Sequence, residues 1–272
     1  MPGWPIELTK ADIIGGQMTH AYSPQEWQLR QELAACYRLI AHYRMTDLIF
    51  THLSLRIPGP EHHFLINPYG LMFEEISASN LVKIDLDGNK VEASQYPVNP
   101  AGFVIHSAIH RAREDAQCVL HTHTRAGCAV AAQAGGLLPV NQISMEFYGR
   151  VGYHDYEGIA LDFSEQQRLV ADLGENSVMI LRNHGLLTVG SSVKQAFLRM
   201  YYLEKACEIQ IAAQAGGSLH LPPEQVCLRT ERQFNAPGQA VAEGELSDAD
   251  ATDFAWAALL RMLDRVAPDY KN

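Results

Sequence analysis

The sequence of 272 residues is short of cations: 21 lysines and arginines stand against 31 aspartates and glutamates, giving a formal net charge of −10. Phosphate backbones are gripped by basic stripes, and the chain has none, which argues against nucleic acid as a main partner. Cysteine is scarce too. Cys36, Cys118, Cys128, Cys207 and Cys227 are odd in number, and no two sit at C-x-x-C spacing. That usage suits a reducing compartment and small buried side chains. No apolar stretch approaches the length of a membrane span, and residues 1–23 lack the basic start and apolar run of a signal peptide. The expectation is a soluble, cytoplasmic protein with no membrane partner. Repeats, low-complexity tracts and a P-loop are all missing, and Gly135-Gly136 does not make a dinucleotide fingerprint.

What is present is a globular composition, 47% hydrophobic, long enough for one large domain. Ser23-Pro24-Gln25-Glu26 reads as a capping box with proline at the first helical position, opening a helix to about Tyr43. Residues 48–57 alternate apolar and polar with period two, the pattern of a half-buried strand. Phe64–Asn67 follows as a strand, and Val82–Leu86 with 90–92 reads as a hairpin about Asp87-Gly88. Residues 102–113 read as a helix, 118–123 as a strand, 178–181 and 186–189 as strands, and 193–214 as a long helix stopped by Gly216-Gly217. Residues 221–244 read as a loop. Ser247-Asp248-Ala249-Asp250 reads as a second capping box, opening a helix with Trp256, Leu259, Leu260 and Leu263 on one face. Strands and helices intermix, so a layered α/β domain is expected, preceded by an arm over 1–23, spanning 24–217, and followed by a C-terminal loop and helix over 218–272.

Twelve histidines are many, and those in loops need no function beyond solvation. His121-Thr122-His123 differs. On a strand, residues i and i+2 share a face about 7 Å apart, so both imidazoles can reach one ion. A third ligand must come from elsewhere, and His184 sits between two expected strands where a tight connection presents a side chain to a cleft. Three protein ligands with open positions is a catalytic rather than a structural pattern. On spacing alone, a metal site and a half-buried structural pair both fit.

HTHT at 121–124, followed by LRNHGLLTVG at 181–190, resembles the class II aldolase/adducin-head family. Residues 64–89, 99–124, 153–160 and 196–210 extend the resemblance over roughly residues 25–215, closest to the adducin-head branch. It implies an α/β/α sandwich around a largely antiparallel sheet, and a homo-oligomer, commonly a tetramer with its site at a subunit interface. It also implies that His121, His123 and His184 hold a divalent ion, zinc by default, with manganese, cobalt or ferrous iron able to occupy the same ligands. In the family that ion polarises a substrate oxygen while a carbon–carbon bond breaks.

The departures matter as much. The family's sugar-phosphate enzymes carry a Ser-Ser-acid segment where this chain reads Pro100-Ala101-Gly102, four residues before His106, so the catalytic acid is replaced by Gly102. A phosphate-holding Gly-Asn pair is replaced by Thr51-His52, and a Thr-Gly pair survives only as Tyr69-Gly70. Phosphate loops need free backbone N–H groups, and Pro100 removes one. Sugar-phosphate cleavage by the usual acid is therefore not expected. The resemblance points to a metal-dependent lyase, aldolase or decarboxylase, acting on a small non-phosphorylated hydroxy- or oxo-acid. His52 is the candidate proton donor or carboxylate binder, and Tyr69, Gly70 and Gly102 are further substrate-side positions. Glu146, Tyr148, His154 and Tyr156 lie between the metal motifs without ranking, and His106 reads as a supporting residue. The competing reading is a non-catalytic oligomerising module like the adducin head. Against it, the three histidines are intact, and residues 216–272 hold a loop and a helix where animal adducins have a neck and basic tail.

Overall fold

The computed structural model describes residues 22–159, 164–235 and 248–272, with residues 100, 101 and 248–250 described by backbone alone. Among the described residues seven strands make one sheet: β1 (His52–Arg56), β2 (Phe64–Ile66), β3 (Val82–Ile84), β4 (Cys118–Thr122), β5 (Val151–His154), β6 (Val178–Leu181) and β7 (Gly185–Gly190). Their order is β3-β2-β1-β4-β7-β6-β5. Only β5 and β6 pair in parallel; the other neighbours are antiparallel.

Period two decides what each face carries. Leu53, Leu55, Cys118, Leu120, Ile180 and Leu186 point into one core with the helices α1 (Pro24–His42), α3 (Arg125–Ala131) and α6 (Val193–Ala215). Val119, Met179, Leu181, Leu187 and Val189 point the other way, against α2 (Pro100–Ala112) and α5 (Glu165–Leu173). Both faces are covered, which gives the expected three-layer α/β/α sandwich. The remaining helices are α4 (Gln142–Met145), α7 (Glu224–Asn235) and α8 (Asp248–Val266). Trp256 and Leu263 of α8 join the first core, with Leu259 and Leu260 packed against it.

Helix α1 begins where the sequence places it, with the Ser23 hydroxyl accepting from the Glu26 amide at 3.1 Å. Three other expectations are corrected. The strand expected over 48–57 begins only at His52, because Leu48 and Thr51 have φ of 50° and 67°. It is also not half-buried: His52, Ser54 and Arg56 face α2 rather than water, so all five residues are buried. The hairpin after β3 is reduced to one bridge, Ile84 to Lys90, although Gly88 takes the positive φ expected of it. The loop expected over 221–244 contains α7. Only Cys227 and Glu231 of α7 are buried, a stripe too narrow to read as periodicity, and Pro222-Pro223 precede the helix rather than break it. Residues 1–21 of the arm expected over 1–23, and the Ser247 cap, lie outside the described residues.

Candidate metal centre

His121 is the fourth residue of β4, paired with His52 on one side and Leu187 on the other. His123 follows just past the strand end. His184 comes from the two-strand connection that the sequence suggested, in a turn where Asn183 adopts φ of 55°. Glycine next in line is required by space. A β-carbon on Gly185 would lie 2.4 Å from the Thr122 carbonyl oxygen. That close approach of the turn to β4 carries His184 over the other two rings.

The three side chains converge. His123 Nε2 lies 2.9 Å from His121 Nε2 and 2.9 Å from His184 Nε2. All the candidate ligand atoms lie within 4.8 Å of one another. The far sides of two rings are tied down. His121 Nδ1 donates to the Leu186 carbonyl at 2.9 Å, and His123 Nδ1 donates to Asp47 Oδ2 at 3.0 Å. Each tie places the hydrogen on Nδ1 and leaves Nε2 as a lone pair facing its neighbours. Such outer bonds orient metal-ligating histidines. Burial first, and then the neighbouring histidines, push the pKa of His121 well down, and push His184 down to about 4. Neutral rings whose lone pairs face one point repel each other unless a cation sits between them. The donor set fits a borderline divalent ion with open positions.

The triad opens onto a cleft of about 400 Å³. Of the other expected positions, His52 and Tyr69 line it, as does Tyr156, whose ring centroid is 6.3 Å from that of His184. Gly102 is buried behind His52. Gly70 takes φ of 105° in the exposed turn after β2 and is not part of the cleft wall. Glu146 and Tyr148 border other cavities. His154 is held between Asp172 at 2.8 Å and Glu165 at 3.2 Å, outside the cleft wall. His106 is fully buried on α2 and bonds to His52 Nδ1 at 2.7 Å, the supporting place expected of it.

Sequence reasoning missed Asp47, Ser54 and His110. Asp47 sits in an irregular turn and carries no pattern. His106 and His110 are spaced i, i+4 on one helix face, opposite the polar residues of β1, and that spacing was the available signal.

A mixed sheet covered by helices on both faces, with three histidines from a strand and a turn meeting over a cleft, defines an α/β protein with a candidate metal centre. Residues 31–211 match the family described as Class II Aldolase and Adducin N-terminal domain, and the chain belongs to that family. A Pseudomonas aeruginosa protein named as aldolase class 2 is 49% identical over 97% of this chain and 100% of its own length. Rat alpha-adducin is 41% identical over 95% of this chain, which spans only 36% of the adducin. Among solved structures, an aldolase II superfamily protein from Pseudomonas syringae is 55% identical with a TM-score of 0.84, over 92% of this chain and 98% of that one. L-fuculose 1-phosphate aldolase from Glaciozyma antarctica is 27% identical with a TM-score of 0.78, over 95% and 97%.

Proposed function

We propose that the protein is a metal-dependent carbon–carbon lyase, of aldolase or decarboxylase type, acting on a small non-phosphorylated hydroxy- or oxo-acid. The observation that carries this reading is the convergence of three Nε2 atoms while the Nδ1 atoms of His121 and His123 are bonded away from the centre. His121, His123 and His184 would hold the ion, with zinc the default for three imidazoles. Bound there, it would supply Lewis-acid polarisation of a substrate oxygen. The residues around it do the rest. Leu186 and Asp47 keep the ligand rings in one tautomer. His52 stands at the cleft wall beside His121, ring centroids 5.1 Å apart, where a proton of the substrate is handled. Phe50 and Ile159 form an apolar rim to the cleft. In aldol-type cleavage the substrate hydroxyl would give its proton to His52 as it becomes the carbonyl of the released fragment, and that proton would return to the carbon that keeps the electron pair.

A neighbouring subunit covering this rim accords with an oligomer, a tetramer by family likeness. Leu48, Phe50 and Ile159 are 64%, 43% and 73% exposed in the single chain.

The second reading is a non-catalytic binding module. It is favoured by the likeness to alpha-adducin and by the glycine at the position of the family acid. Metal analysis after purification without chelator separates the two. The lyase reading expects about one equivalent per chain, and the module reading less than about a tenth. Turnover follows by incubating the loaded protein with a panel of hydroxy- and oxo-acids and detecting aldehyde, ketone or carbon dioxide.

A further inference from the structure

Behind His52 a file of hydrogen bonds runs through the layer between β1 and α2. His52 Nδ1 lies 2.7 Å from His106 Nε2. His106 Nδ1 meets Ser54 Oγ. Ser54 Oγ lies 2.7 Å from His110 Nε2, and His110 Nδ1 lies 3.0 Å from the Ala116 carbonyl oxygen. All four side chains are buried.

The direction of each bond follows from the far end. A carbonyl only accepts, so His110 Nδ1 carries the hydrogen. Burial and the neighbouring Arg56 keep His110 neutral, its pKa pushed down to about 3. Its Nε2 is therefore bare and accepts from the Ser54 hydroxyl. That hydroxyl has one hydrogen, now used, so Ser54 Oγ accepts from His106 Nδ1. Among the described residues no carboxylate bonds to any ring in the file, so none of them has a partner for a buried imidazolium. His106 Nε2 is then bare and His52 Nδ1 donates to it. The His52 ring is left with a bare Nε2 at the cleft wall, bonded to no described residue.

Two further observations describe that corner. Thr51 Oγ1 is buried without a hydrogen-bond partner, and Thr51 lines the same cleft. Its φ of 67° is a rare conformation for a β-branched residue and stores strain beside the site. Among the described residues of the cleft wall there is no lysine or arginine.

We propose that Thr51 Oγ1 and His52 Nε2 form a hydroxyl-recognition corner, so that the substrate presents a neutral O–H donor there and neither a phosphate nor a carboxylate. The proposal rests on the metal reading for the anchor of the substrate's other end. A phosphate or carboxylate oxygen would set lone pair against lone pair at His52, with no lysine or arginine among the described residues of the wall to offset it. The acid group of a hydroxy-acid then belongs on the metal side and its further hydroxyl at Thr51 and His52.

A matched series tests this by calorimetry on metal-loaded protein: lactate, glycerate and 3-phosphoglycerate share the 2-hydroxy-acid head and differ in the third carbon's substituent. Glycerate is expected to bind about tenfold more tightly than lactate, one well-placed hydrogen bond, and 3-phosphoglycerate more weakly than either. In His52→Phe the preference for glycerate disappears. In His106→Phe the lock on the His52 tautomer is lost, and the penalty on 3-phosphoglycerate shrinks. Histidine ¹⁵N spectra of the unaltered protein give a readout that needs no variant to fold, and they are expected to show His52 protonated at Nδ1 alone. A hydrogen on His52 Nε2, or 3-phosphoglycerate bound as tightly as glycerate, overturns the proposal. A protein that takes up no metal but shows the bare Nε2 defeats the lyase reading and supports the tautomer assignment.

Discussion

The ring of His52 fills the space into which a side chain at position 102 would project: a β-carbon on Gly102 would lie 2.6 Å from His52 Cδ2 and 2.8 Å from Cγ. The family's acid and this histidine cannot both occupy the corner. The two departures that the resemblance implies separately, at Thr51-His52 and at Gly102, meet in one contact.

Restoring the acid alone should therefore fail. Gly102→Asp is expected to lose about 1–3 kcal/mol of stability through overpacking of a closed layer. The paired change Gly102→Asp with His52→Ala should recover part of that loss. Urea unfolding of the parent and the two variants measures it, and a Gly102→Asp protein as stable as the parent would contradict the packing relationship.

Gly185 answers to backbone rather than to a side chain. Because its β-carbon would meet the Thr122 carbonyl at 2.4 Å, Gly185→Ala must push the turn away from β4 and His184 away from its partners. Metal affinity is expected to fall at least tenfold, along with a stability loss of about 1–3 kcal/mol. Unchanged affinity by competitive chelator titration would show that the turn can yield without moving His184.

Asp47 separates affinity from stability. Its carboxylate is 43% exposed, so its pairing with His123 contributes little to folding, less than about 1 kcal/mol. Its orientation of the His123 ring should matter more. Asp47→Asn is expected to lower metal affinity about 10–100-fold while the unfolding midpoint stays in place.

The buried histidines make the metal-free protein sensitive to acid. His110 is depressed from the usual 6.5 to about 3 by burial and Arg56, and His184 to about 4 by burial and His123. A depressed folded-state value means that the unfolded chain takes up protons first. The stability these neutral rings contribute is therefore whole above about pH 6.5 and falls as pH drops toward 3, by up to about 1.4 kcal/mol per pH unit per ring. Urea midpoints of chelator-treated protein at pH 7.5, 6 and 5 should decline in that order. His110→Gln should flatten the decline.

Most of the sandwich was legible because strands and helices write their periods directly: α1, β4, β6, β7 and α6 fall within a residue or two of where capping and alternation put them. The polar face of β1 was misread for a physical reason. Alternation reports which residues share a face, and a buried file of histidines and serine looks from sequence like a wet one. Asp47 was invisible as a site-forming group because its position depends on irregular backbone at Leu48 and Thr51, which side-chain pattern does not encode. The triad lay between these cases. His121 and His123 share a strand face by rule, whereas His184 needed the tight approach that Gly185 alone permits.

The central claim is that His121, His123 and His184 together hold one ion. The most direct test is elemental analysis of the unaltered protein and of His184→Ala, both purified without chelator, with circular dichroism to compare their folds. The account predicts about one transition-metal ion per chain in the first and a loss of most of it in the second, with superimposable spectra. An unaltered chain without metal, or a His184→Ala chain that keeps its full equivalent, would contradict it.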